Sequence, residues 1–107
     1  MEGNPRFGQG SPVKAYVRPG FVQIGQTFSL QAIRFDPHET VKFDIIGPSK
    51  QVVSLEPTET DMNGNVITNV STDQEHWTMG DYIITVTGKS NGQEVAAEAF
   101  VTIKPKL

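Results

Sequence analysis

The strongest structural signal in the chain lies in residues 80–103, GDYIITVTGKSNGQEVAAEAFVTI. Apolar residues occupy every second position over 82–86, and the same alternation returns over 95–103. Because successive side chains of a strand point to opposite faces, this pattern predicts two half-buried strands. Asn91-Gly92 lies between the two runs, and both residues tolerate positive φ. The stretch is therefore predicted to form a β-hairpin.

Shorter runs with the same alternation precede the hairpin, at residues 13–18, 28–32, 41–45, 53–55 and 66–70. Turn signals separate them, and no long window has the 3.6-residue period of a helix. About seven such strands indicate an all-β protein, an immunoglobulin-like antiparallel β-sandwich. The apolar parity slips between Ala32 and Phe35, which predicts either a bulge or an early end of that strand.

The alternation also predicts which side chains fill the space between the sheets. The expected core residues are Val17, Phe28, Leu30, Val41, Phe43, Ile45, Val70, Tyr82, Ile84, Val86, Val101 and Ile103. Tyr82 follows Gly80 at the start of its strand, so its ring is expected in the core and its hydroxyl on backbone across the corner. Residues 1–12 are rich in glycine and proline and are expected to be a flexible lead-in or linker. Residues 13–107 then form the domain.

The composition excludes several classes of protein. A chain of 107 residues has the length of one domain. The formal net charge of −3 argues against nucleic acid, which requires a basic face. The absence of cysteine excludes disulfides, thiol catalysis and cysteine-based zinc sites. No apolar run approaches about 18 residues, so no membrane insertion is expected in this segment.

Four short motifs occur in a fixed order along the chain. They are FDPHETV at 35–41, TDMNGN at 60–65, GDYIITVTG at 80–88 and the strand over 92–103 that opens with Gly-Gln. In this order they resemble the immunoglobulin-like repeat modules of large bacterial and archaeal cell-surface proteins. His38 departs from that resemblance, because those modules usually have glycine at this place in the turn.

The resemblance implies a non-catalytic module of an extracellular or cell-surface protein, acting as a structural spacer or an adhesion domain. Its partners would be neighbouring domains of a larger protein or other surface proteins. The residues themselves agree that the chain is not an enzyme. Both histidines, His38 and His76, fall in predicted loops, and no serine lies in a nucleophile elbow. So small a domain also offers no clear groove in which paired carboxylates could act.

Calcium is the one cofactor that the sequence suggests. Asp61, Asn63 and Asn65 alternate like the first ligands of an oxygen-rich loop, and Asp81 or Asp73 could come near them in space. The EF-hand pattern fails here, and the competing interpretation is a simple hairpin turn. Asn69-Val70-Ser71 is in addition an N-glycosylation sequon, and strand parity points Asn69 outward.

Two aromatic residues are the candidates for recognition. Phe100 alternates onto the outer face of the last strand, where it suits packing against a neighbouring domain. Trp77 lies in a polar loop, where it either caps the open end of the core or stacks on a sugar or a protein partner. The stacking alternative makes the chain a carbohydrate-binding accessory module of a secreted enzyme, with polysaccharide as its partner.

Overall fold

The computed structural model describes residues 13–50, 52–73 and 77–105, so the predicted lead-in over residues 1–12 lies outside the described residues. The described chain forms nine strands in two packed sheets, which confirms the all-β immunoglobulin-like sandwich. No helix among these residues is long and apolar enough to cross a membrane. The strands are β1 (Lys14–Arg18), β2 (Phe21–Gln23), β3 (Thr27–Ile33), β4 (Thr40–Ile46), β5 (Val52–Ser54), β6 (Thr58–Glu59), β7 (Val66–Ser71), β8 (Gly80–Ser90) and β9 (Gln93–Lys104).

The strands divide into a small and a large sheet. The small sheet has the order β1-β3-β7, and the large six-stranded sheet has the order β2-β9-β8-β4-β5 with β6 paired to β4. The pairings are antiparallel except for β2, which runs parallel to β9. The short strands β2 and β6 had no alternating pattern of their own, because two or three residues cannot establish a period.

The predicted hairpin is confirmed. Strands β8 and β9 pair continuously from Ser90↔Gln93 to Gly80↔Ile103. Asn91 and Gly92 have φ values of 53° and 77°, as a two-residue turn with two left-handed residues requires.

The predicted core is also confirmed, with one exception. Every residue expected between the sheets is buried except Val17, which is half-buried because β1 is an edge strand. The core contains further buried residues beyond the expected ones. Ala32, Val66, Ala97 and Ala99 lie in phase with the alternating runs, whereas Val22, Phe35 and Trp77 lie outside them.

The parity slip after Ala32 marks an early strand end rather than a bulge. Strand β3 stops at Ile33, and Arg34 adopts a left-handed φ of 73° that turns Phe35 back into the core. The N–H of Phe35 then donates to the carbonyl of Gly64 at 3.1 Å. His38 has a φ of 55°, so this turn keeps the positive φ although it lacks the glycine of the resembling modules.

The loop between β3 and β4 is fastened to the β8–β9 hairpin by side chains. The Asp36 carboxylate accepts the N–H groups of Asn91 at 2.6 Å and Gly92 at 3.0 Å. The Ser90 hydroxyl donates to the Arg34 carbonyl at 2.9 Å. We call this the hairpin end of the sandwich. Strand β1 begins at the hairpin end, because Lys14 pairs with Ile33, whereas β9 finishes at the opposite end.

Candidate interaction surface

A row of exposed apolar side chains crosses the outer face of the large sheet. Phe100 of β9 lies opposite Ile83 of β8, Ile83 lies opposite Ile46 of β4, and Ile46 lies opposite Val52 of β5. All four are exposed, and Phe100 is the most exposed at 63%. Phe100 thus faces outward as its parity predicted. We call these four residues the apolar row.

The other members of the apolar row had a sequence signal that alternation alone does not use. Ile83-Ile84, Ile45-Ile46 and Val52-Val53 are adjacent apolar pairs. Since neighbours on a strand face opposite ways, each pair must expose one apolar side chain if the other is in the core. The adjacent pairs therefore predict that apolar side chains are exposed, but they do not predict that these side chains meet.

Phe21 extends the apolar surface towards the β2 edge. It pairs with Thr102, two residues beyond Phe100 on β9, and is 60% exposed. The Lys104 ammonium lies 4.7 Å from the centre of the Phe21 ring, a cation–π contact that holds the ring at this edge.

Carboxylates border the apolar row on both sides. Asp44 and Glu98 precede Ile46 and Phe100 by two residues on the same outer face, and Asp81 precedes Ile83 in the same way. Asp81 accepts a hydrogen bond from the Thr102 hydroxyl at 2.8 Å, and Asp44 accepts one from Ser54 at 3.3 Å. The surface is therefore an apolar strip with an acidic border.

Trp77 does not belong to this surface, and the interpretation of Trp77 as a stacking residue was wrong. Its side chain is only 3% exposed. The indole meets the Phe28 ring edge-on, with centroids 6.0 Å apart, and lies 4.8 Å from the Tyr82 ring. The competing interpretation, a cap on the open end of the core, is the one the structure bears out. Trp77 is therefore too buried to stack on a sugar, and the carbohydrate-binding interpretation lacks its main residue.

The predicted placement of Tyr82, with its ring in the core and its hydroxyl bonded to backbone across the corner (a tyrosine corner), is confirmed. Tyr82 is fully buried, and its hydroxyl donates to the carbonyl of Thr78 at 2.8 Å while accepting the N–H of Thr78 at 2.8 Å. A buried phenol must find such partners. This bond fixes the segment that carries Trp77 against the core.

The Asp61 loop is a side-chain-stabilised turn. The Asp61 carboxylate accepts the backbone N–H of Asn63 at 2.8 Å and of Asn65 at 3.0 Å. These two hydrogen bonds lower the pKa of Asp61 below its ordinary value of 3.8, and the bond from Asn65 has a larger effect than the bond from Asn63. The geometry is that of the hairpin-turn interpretation.

Neither Asp73 nor Asp81 lies near Asp61. Asp61 lies at the hairpin end, next to the β3–β4 loop, since its carbonyl accepts the N–H of His38. Strands β7 and β8 span the sandwich, so Asp73 and Asp81 lie at the opposite end. Within the described ranges no three side chains of the His, Cys, Asp and Glu types gather as a metal site. Calcium binding at Asp61, Asn63 and Asn65 stays a prediction.

The lowered pKa of Asp61 gives a pH prediction. A carboxyl with a lower pKa in the folded state stabilises the fold above its unfolded pKa, and that stability is lost as pH falls through the folded pKa. The free energy of unfolding should therefore drop as the pH falls below about 4, near the ordinary pKa of 3.8, towards the lower folded pKa. This drop should be smaller in Asp61→Asn, as measured by urea unfolding across that range. Asp44→Asn is the control, because it removes a carboxylate that accepts no backbone N–H; an equal flattening in both variants would contradict the assignment.

The remaining candidate residues are dispersed. Asn69 is exposed on β7, as predicted, and its side-chain oxygen accepts the Ser29 hydroxyl at 2.9 Å. Its glycosylation stays a prediction. His38 is exposed and lies 4.0 Å from the Glu59 carboxylate, while His76 lies outside the described residues.

A family profile and several solved structures relate the chain to known proteins. The profile of the macroglobulin-like domain matches residues 11–101. No curated protein matches the sequence.

The solved structures agree on the fold. The PKD domain of an M14-like peptidase from Thermoplasmatales archaeon SCGC AB-540-F20 has a TM-score of 0.52 and 20% identity, over 90% of this chain and 98% of that one. The Pseudomonas fluorescens alkylpurine DNA glycosylase AlkC, bound to DNA containing an abasic site analog, has a TM-score of 0.55 and 15% identity. The likeness covers 89% of this chain but only 31% of the glycosylase. At these identities the likeness concerns the fold alone.

Proposed function

The chain belongs to the macroglobulin-like domain family, and we propose that it serves as a non-catalytic module of an extracellular or cell-surface protein. Domains of this kind fit a structural or interaction role better than an enzymatic one. In this role the module spaces or attaches its neighbours, and it contacts them through the apolar row.

The apolar row is the observation that carries the proposal. Isolated apolar side chains are common on protein surfaces, but a contiguous strip with a polar border is typical of an interaction site. Phe100, Ile83, Ile46 and Val52 are adjacent across four strands rather than scattered. Covering one such side chain is worth about 1.5–3 kcal/mol, so a partner that covers the row gains considerable binding energy.

The course of the chain supports the spacer part of the role. Strand β1 begins at the hairpin end and β9 finishes at the other end. The points at which the chain enters and leaves the sandwich are therefore separated by its length. The two sheets are joined by a continuous core. A module of this shape holds the domains on either side of it apart.

Replacing Phe100 with serine separates the surface role from a structural one. Since the side chain is 63% exposed, the variant should lose less than about 1 kcal/mol of unfolding free energy in a urea melt. Contact with the partner should be lost. A large loss of stability would instead make Phe100 a structural residue and would contradict the proposal.

The partner contact itself is measured by a photo-crosslinking amino acid at position 100, in cells that naturally make the protein. Position 87 is the matched control, because Thr87 faces outward on β8 away from the apolar row. A discrete protein adduct from position 100 alone is expected. Equal labelling from both positions would mean that the row does not select a partner.

The location is tested separately, by treating intact cells with a protease that does not enter them. The module should be removed from the surface or found in the medium. Protection from the protease until the cells are broken would place it inside the cell and would overturn the extracellular part of the proposal.

A further inference from the structure

The small sheet has an open edge at β7. Strand β7, Val66–Ser71, pairs with β3 on one side, and no described strand pairs with its other side. This edge is distinct from the apolar row, which lies on the large sheet.

The register of β7 on β3 shows which backbone groups face that edge. The N–H of Thr72 donates to the carbonyl of Gln26 at 3.1 Å, so this opposed pair is a hydrogen-bonded one. Bonded and non-bonded pairs alternate along an antiparallel ladder. The N–H and C=O groups of Ile67, Asn69 and Ser71 therefore point away from β3. The carbonyl of Asn65, on the same parity, indeed points away and accepts the N–H of Asp61 at 2.9 Å.

Strand β7 also lacks the devices that usually protect an edge. Proteins protect open edges with charged residues, proline, bulges or very short strands. The sequence VITNVS contains no charge, proline or glycine. The other described edges differ: β2 and β5 have three residues each, and β1 carries Lys14 and Arg18.

We propose that β7 is a self-association edge that pairs antiparallel with β7 of a second copy, about a two-fold axis at Asn69. In this register Asn69 meets Asn69 of the other copy, and Ile67 meets Ser71. All the outward N–H and C=O groups of the three residues are then hydrogen-bonded. A shift of the axis by one residue along the strand leaves one of the three unpaired.

The symmetry of the edge favours a second copy as the occupant, because the outward groups of Ile67, Asn69 and Ser71 are evenly spaced about Asn69 and two antiparallel copies satisfy all of them. No charged side chain of one β7 meets a charged side chain of the other in this register, since the strand has none. The carboxylates of Asp44, Asp81 and Glu98 lie on the outer face of the large sheet, away from the axis. The two small sheets join into one continuous sheet of the order β1-β3-β7-β7-β3-β1.

Single cysteines test the register, because the chain contains no cysteine. At the axis, the Cα atoms of position 69 in the two copies are about 5.5 Å apart, within the range of a disulfide. Position 67 is the matched control on the same strand and face. In the proposed register, the Cα atoms of position 67 in the two copies are about 14 Å apart. Asn69→Cys should be bridged by mild oxidation or a short bismaleimide at least about tenfold faster than Ile67→Cys. Equal rates for the two variants, or no bridging of either, overturn the proposal.

Sedimentation of the unglycosylated full chain tests the association without crosslinks. The average mass should rise with concentration up to about 1 mM, and Asn69→Lys should hold the chain monomeric by placing two like charges at the axis. Ile67→Lys is the second edge variant if Asn69→Lys does not fold. Thr87→Lys, which adds the same charge on the large sheet, should associate like the wild type. A wild-type chain that stays monomeric, or edge variants that associate unchanged, contradict the proposal.

Discussion

Replacing Trp77 with alanine is expected to lower the free energy of unfolding by about 3–5 kcal/mol, the usual cost of deleting a large buried aromatic side chain. The indole lies between the Phe28 and Tyr82 rings at one end of the core. Its removal leaves a cavity there, and the buried tyrosine hydroxyl loses its shelter from water. A loss of this size is a large part of the 5–15 kcal/mol typical of a domain.

Urea unfolding of Trp77→Ala, followed by circular dichroism, measures this loss. Phe100→Ala is the matched control, because it deletes an aromatic side chain from the exposed face and should cost less than about 1 kcal/mol. Similar losses in the two variants would show that Trp77 does not complete the core. Trp77 is the only tryptophan, so wild-type fluorescence should also shift on unfolding and stay unchanged on addition of polysaccharide.

Replacing Gly64 with alanine is expected to cost about 2–4 kcal/mol of unfolding free energy, for two reasons that add. Gly64 has a φ of +80°, which penalises any side chain, and an added Cβ would clash with the carbonyl oxygen of Phe35. That contact forces the backbone of Phe35 to move, although its ring is part of the core. The thermal midpoint and the urea midpoint should both fall.

Gly92 supplies the control that separates the two reasons. It has nearly the same φ, +77°, but an added Cβ would meet nothing within 4 Å. Gly92→Ala should therefore show only the conformational cost of about 1–2 kcal/mol. If Gly64→Ala costs no more than Gly92→Ala, the close approach to Phe35 is not a constraint on the fold.

Much of this fold was predictable from the sequence because strand parity is a local property. The alternation of Tyr82, Ile84 and Val86 assigned their faces without reference to any other strand. The Asn91-Gly92 turn was equally local, since the φ preferences of the two residues themselves specify it. The tyrosine corner followed from Gly80 and Tyr82 in the same way.

The candidate surface was only partly predictable. The alternation along β9 predicted that Phe100 faces solvent. Its neighbours Ile83 and Ile46 come from other strands, and the register of those strands decides whether the side chains touch. The failure at Trp77 has a related cause. A loop without periodicity gives the same sequence pattern whether its aromatic residue caps a core or faces solvent, and here the packing of Phe28 and Tyr82 decided it.

The class of the fold, the hairpin and most of the core follow from the sequence, because they depend on side-chain alternation and turn preferences within a few residues. Three-dimensional packing sets which strands share a sheet, where Trp77 lies, how the apolar row is assembled and which described edge stays open. These features depend on contacts between segments that are distant along the chain. A period read along one segment carries no information about its register against another.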